Sequence, residues 1–143
     1  MKTVMTAVVL SLCVSVSNAS MKATDAISQL VEFGSYQGSD NHQSCQVVFE
    51  KNLDSVITTV ITKDQSQSMI LLDTASNYSV IAETDEITAS SSLNAPHYIK
   101  GGTLFLNIKK TGPNKVQVSM SSVLLDHQGN DLSTFLSCTV TTK

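Results

Sequence analysis

The chain has 143 residues: 9 Lys and no Arg, 12 acidic residues, 3 His, 3 Cys and no Trp. That length holds one hydrophobic core and leaves no room for a second. Without a guanidinium fork there is no bidentate reader of phosphate or guanine, and a formal charge of −3 gives no pull on nucleic acid or anionic lipid. Aromatics are 5% of the chain, so stacking platforms for single strands or sugars are poorly supplied.

Residues 1–19 read as a secretory signal. Lys2 supplies a positive start, Val4 to Val16 is mostly apolar, and Ser17-Asn18-Ala19 places small residues where cleavage needs them. The apolar run falls short of the roughly 20 residues that span a bilayer. Leu12 precedes Cys13 where a lipoprotein needs a small residue, which favours ordinary export. The expected address is periplasmic or secreted, with one domain over residues 20–143. Cleavage removes Cys13 and leaves Cys45 and Cys138. Two thiols in an exported chain predict one disulfide, and no Cys-x-x-Cys spacing supports redox catalysis or a zinc knuckle. Leu, Ile, Val and Phe make up about 27% of residues 20–143, above the ~20% below which chains stay disordered.

Residues 22–33 place Ala23, Ile27, Leu30 and Val31 at helical spacing. Thr24 or Asp25 is positioned to cap the start and Gly34 to end it. Gly34-Ser35-Tyr36-Gln37-Gly38 then reads as a bend into the first strand. Beyond it the apolar period becomes two. Cys45, Val47 and Phe49 share one face of the first clear strand. Asp54 to Lys63 is rich in β-branched residues and apolar on both faces, as a central strand would be. Ser68 to Asp73, Asn77 to Ala82 and Glu86 to Ser91 follow as shorter strands. Asn94-Ala95-Pro96 breaks the pattern. Thr103 to Lys110 puts Leu104, Leu106 and Ile108 on one face, and Thr111-Gly112-Pro113-Asn114 signals a hairpin. In Lys115 to Leu125 the apolar phase passes from Val116, Val118 and Met120 to Val123 and Leu125, which predicts a β-bulge at Ser121-Ser122. Asp126 to Asp131 is a polar turn before the last strand, where Leu136, Cys138 and Val140 share a face.

Eight or so short strands joined by hairpin turns, without interleaved helices, predict an all-β domain. The expected form is an antiparallel barrel, with a two-sheet sandwich as the alternative, plus a short N-terminal helix and one disulfide. Both thiols fall on apolar strand faces. Their bond brings the first clear strand beside the last, closing a barrel and removing sheet edges, or across from it, pinning two layers.

The signals for chemistry are few. His42, His97 and His127 occupy three separate polar turns, with no helical i, i+4 pair and no His-x-His on a strand. Gly-x-Ser-x-Gly is absent, and the Gly34–Gly38 segment lacks the Lys and helix of a phosphate loop. Asp73, Glu83, Asp85 and Glu86, and separately Asp126 to Asp131, fall short of the six to eight oxygens held by a calcium loop. Asn77-Tyr78-Ser79 is a glycosylation sequon in a host that glycosylates. Tyr36, Tyr78, Tyr98 and Phe105 are the aromatics expected at the surface; Phe105 alternates outward from Leu104 and Leu106, and the helix residues Ile27, Leu30 and Val31 are expected to cover it. No cofactor or metal is implied, and no catalytic signature marks the chain as an enzyme. The reading that remains is a binding protein. Its expected partner is a protein or envelope component, met through loops carrying His97 and Tyr98, and Asp126, His127, Asn130 and Asp131. The alternative is a carrier of a small apolar ligand, which requires a barrel cavity of ~300 Å³ or more.

Gly34-Ser35-Tyr36, following a short helix and opening the strands, resembles the Gly-x-Trp of lipocalins and the wider calycin group. Tyr36 stands in place of the Trp, and no Arg is available on the last strand to pack over the ring. The resemblance implies a small barrel and carries no ligand with it. The placement of one Cys in an early strand and one near the end is similar to small exported bacterial β-barrel proteins, secreted lysozyme inhibitors among them. Their characteristic loop motifs are absent here, so the similarity is one of scale and architecture.

Overall fold

A computed structural model describes residues 22–73, 78–82, 85–93 and 100–142, with backbone alone for 78–82 and 93. The expected signal segment 1–19, Asn77 of the sequon, Glu83, His97 and Tyr98 lie outside the described residues. One helix, α1 (Ala23–Leu30), precedes β1 (Gly34–Asp40), β2 (Gln43–Asn52), β3 (Ser55–Ile61), β4 (Ser66–Leu72), β5 (Tyr78–Ala82), β6 (Glu86–Leu93), β7 (Gly101–Gly112), β8 (Lys115–Leu125) and β9 (Thr134–Thr141).

The strands form one sheet in the order β4-β3-β2-β1-β9-β8-β7-β6-β5, antiparallel at every neighbour. Alternation along that order makes β4 and β5, at the two edges, point the same way. Parallel neighbours need a crossover of about a dozen residues, and only 73–77 separate these two. They therefore do not ladder to each other as parallel neighbours: β4 pairs with β3 and β5 with β6. The result is the strand order of an eight-stranded up-and-down barrel, curled as a half-barrel. This is the all-β, disulfide-bonded architecture expected from the sequence, in its barrel form.

Two local expectations are corrected. Gly34–Gly38 is not a bend but the body of β1, which the sequence disguises because Tyr36 is its only large apolar residue. The strand exists because neighbours on both sides complete its ladder. It turns into β2 through Asn41 and His42, both with positive φ (45° and 69°), the backbone of a two-residue primed hairpin turn. The second correction concerns β8. It holds one register from Val116 to Leu125 with no bulge at Ser121-Ser122; the irregularity lies in β7 between Lys110 and Gly112.

The core lines the concave face of the sheet. Val47, Phe49, Val56, Val60, Leu106, Ile108, Val116 and Val118 are all fully buried. A chamber wide enough for water would leave accessible wall on these side chains. The described part of the interior is instead filled, with Ala26 and Ile27 of α1 inserted into the same cluster. The helix lies against β3 on one arm of the half-barrel and against β6 and β7 on the other. Its start is not capped from within. The Asp73 carboxylate, at the end of β4, accepts from the Thr24 backbone N–H at 3.1 Å and from Thr24 Oγ1 at 2.6 Å. This supplies an N-terminal acceptor and a favourable negative charge from 49 residues away.

Cys45 and Cys138 are bonded, with Cα atoms 5.9 Å apart. They are neither on adjacent strands nor on facing layers, because β1 runs between β2 and β9. Second-neighbour strands in a flat sheet stand roughly 9.5 Å apart. The sheet must therefore fold sharply about β1 here. Gly38 pairs with Cys45 on one side and Val140 on the other. A Cβ on Gly38 would overlap the Thr139 carbonyl oxygen, so the crossing requires bare backbone.

Candidate interaction face

The convex face of β6–β9 carries the side chains that alternate away from the core. Across four strands Ser90, Phe105, Ser121 and Phe135 stand in line. Phe105 and Phe135 are two strands apart, about 10 Å by strand spacing. Next along β8 come Val123, opposite Thr103, and then Leu125, opposite Gly101. Phe135 is 67% exposed, Val123 55%, Leu125 42% and Phe105 39%. Single exposed apolar residues need no explanation, but four neighbouring side chains on one convex face form a patch.

This face was missed in the sequence for an identifiable reason. The apolar phase of β8 reverses at Ser122, and a bulge would have turned Val123 and Leu125 inward. The register does not slip. Ser122 takes the inner position, 2% exposed, where its hydroxyl lies 2.7 Å from Thr134 Oγ1 and accepts the Thr134 N–H at 3.1 Å. Thr134 Oγ1 also donates to Gln67 Oε1 on β4 at 3.1 Å, so a polar cluster closes the inner end of the sheet. Val123 and Leu125 are left outside. Nor does α1 cover Phe105, since its apolar residues enter the concave side. Tyr36, expected to be exposed, instead packs edge-on to Phe49 with centroids 6.2 Å apart and donates its hydroxyl to the Glu32 carbonyl. Burial raises its pKa, and the nearby Glu32 charge adds to the effect.

The loop between β8 and β9 adjoins the patch. Asp126 accepts from the Asn130 backbone N–H at 2.8 Å and from Asn130 Nδ2 at 2.7 Å, while the Asp126 N–H donates to the Asn130 carbonyl. Gly129, with φ 85°, makes the turn. Asp131 accepts from the Ser133 N–H at 2.8 Å and bridges to Leu125. Hydrogen bonding, chiefly from the Asn130 side chain, holds the Asp126 carboxyl below its ordinary pKa; Ser133 does the same for Asp131. Three of the loop residues singled out in the sequence, Asp126, Asn130 and Asp131, are thus brought together. Their polar groups set the loop's shape, and the exposed His127 lies within it.

At the opposite end of the same face, Asn107 donates to Glu86 Oε1 at 2.7 Å and to Thr88 Oγ1 at 3.1 Å, and Lys109 lies 3.6 Å from Glu86. The Asn107 hydrogen bond is the main cause of a lowered Glu86 pKa. Asp73, grouped with the acidic residues near it in sequence, is committed to Thr24. Among the described residues no cluster of three His, Cys, Asp or Glu is arranged to hold a metal, and no helix is long and apolar enough to cross a membrane. No family model, no curated protein and no solved structure matches the chain.

Proposed function

We propose that this is an exported, non-enzymatic binding protein whose contact surface is the convex face of β7–β9 together with the Asp126–Asp131 loop. The observation that carries the proposal is the neighbouring exposure of Phe105, Val123, Leu125 and Phe135 on a fully laddered part of the sheet, beside a loop held by its own side chains. Such a surface offers large apolar contact area with little entropy lost on binding, as hot spots require. The filling of the described part of the interior is why the surface and not a chamber carries the proposal. The signal-like residues 1–19 and the disulfide support export to a periplasmic or extracellular compartment, where the partner is a protein or envelope component.

The experiment is comparative capture. Immobilised protein is exposed to envelope and secreted fractions beside F135S and a distant control, L53S. A saturable partner held by the parent and L53S but lost by F135S is the expected result. Equal retention by all three, or by none, refutes the assignment of this face.

A further inference from the structure

We propose that the Cys45–Cys138 disulfide is a redox latch that holds two halves of the sheet together along their weakest seam, so that reduction by a dithiol releases β1 from β9. The strand order divides at that seam. On one side lie β1–β4 and on the other β5–β9, each a run of strands consecutive in sequence. Within the halves every ladder has between five and eleven register pairs. Across the seam there are two, Gly38 with Val140 and Ser39 with Thr139. Gly38 brings no side chain to help. The disulfide sits at the same height, since Cys45 pairs with Gly38 and Cys138 lies two residues before Val140. It spans β1 and ties β2 to β9 where the hydrogen bonding is thinnest. Among the described residues the other ties between the halves include the Thr134–Gln67 hydrogen bond and shared apolar contacts, those of α1 among them. Apolar contacts are non-directional and hold no register of their own.

The chemistry is thiol–disulfide exchange. A thiolate of the dithiol attacks one sulfur, the S–S bond breaks, and the other cysteine leaves as a thiolate. The second thiol of the reductant displaces the mixed disulfide. The dithiol ends as a disulfide, and Cys45 and Cys138 end as two thiols carrying its two protons. Cys138 is fully buried, but Cys45 lines an open surface recess with Gln37, Gln46 and Ile61, and a small dithiol approaches the bond from there while the seam is still closed.

Amide hydrogen exchange on the intact chain, with and without dithiothreitol, tests this. Peptides covering 34–40 and 134–141 should exchange on the order of tenfold faster after reduction, while those covering 101–112 and 115–125 keep their protection. The double variant C45A/C138V should show the same opening without reductant. Unchanged protection at the seam overturns the latch, because the seam then holds without the bond. Uniform loss of protection in all strands of the reduced native chain overturns it as well, because the disulfide is then a staple of the whole fold.

Discussion

Thr58 gives the sharpest test of how this core is read. It lies on β3 facing inward, paired with Phe49 on β2 and Met69 on β4, and it is 0% exposed. Its Oγ1 is the one buried side-chain polar atom among the described residues with no hydrogen-bond partner. A buried hydroxyl left unsatisfied costs about 1–3 kcal/mol. T58V keeps the branched shape that suits the strand, removes that penalty, and places a methyl among apolar neighbours. Discounting for imperfect fit, the variant should be more stable by about 1–2 kcal/mol, a rise in Tm of several degrees for a domain of this size. T58S is the control: it keeps the hydroxyl, loses the methyl, and should be less stable by about 1 kcal/mol. Urea unfolding of the oxidised protein at neutral pH measures both, with equal m-values required for the comparison. A T58V protein that is less stable than the parent would show that the hydroxyl is satisfied in solution and that the concave side is not the dry core described above.

The other expectations concern the sheet's ends and its seam. D73A removes both acceptors at the start of α1 and should cost about 1–2 kcal/mol in urea unfolding, with D73N recovering part of it. G38A forces a Cβ onto the Thr139 carbonyl and within 2.8 Å of Val140 Cγ1, so it should cost at least about 1–3 kcal/mol; a neutral result would mean that β1 and β9 are not in contact at Gly38. The Asp126 carboxyl is held below its unfolded pKa, so its contribution is complete above roughly pH 4 and is lost as pH falls through the folded value. An NMR titration should show the Asn130 amide moving only below that range, and N130A should return the Asp126 carboxyl toward its ordinary value.

Where residues obey one period throughout, the sequence was readable. Cys45, Val47 and Phe49, or Leu136, Cys138 and Val140, declare a strand and its inner face, and both thiols on inner faces declare their bond. β1 was hidden because GSYQGSD has almost no apolar period. Its place is set by ladders to β2 and β9 and by the need for bare backbone at Gly38, which are properties of the assembled sheet. The neighbour relation of the cysteines was hidden with it, since a disulfide reports nearness and not adjacency. The Asp73–Thr24 cap is equally illegible, because no local pattern links a helix start to a residue 49 positions later.

The most telling misreading is at the end of β8. Binary patterning turns Val123 and Leu125 inward, and a bulge is the least disruptive way to achieve that. The sheet instead keeps its register, buries Ser122 with hydrogen bonds to Thr134, and leaves two aliphatic residues in solvent. Places where a sequence breaks its own pattern without structural gain are where function is expected. If the break is purely structural, exchanging the two residues should improve the protein. S122V/V123S puts the apolar residue inside and the polar one outside, but it also strips the Thr134 N–H and hydroxyl of their Ser122 partner. The polar loss of about 1–3 kcal/mol and the apolar gain of about 1.5–3 kcal/mol nearly cancel. Stability should therefore stay within about 1 kcal/mol of the parent, while partner capture falls with the loss of Val123 from the convex face. A variant that is much more stable and still captures the partner would show that the reversed phase serves neither the fold nor the contact. V123S alone keeps the inner hydrogen bonds intact. It should lose capture at unchanged stability, which separates the outer role of Val123 from the inner role of Ser122.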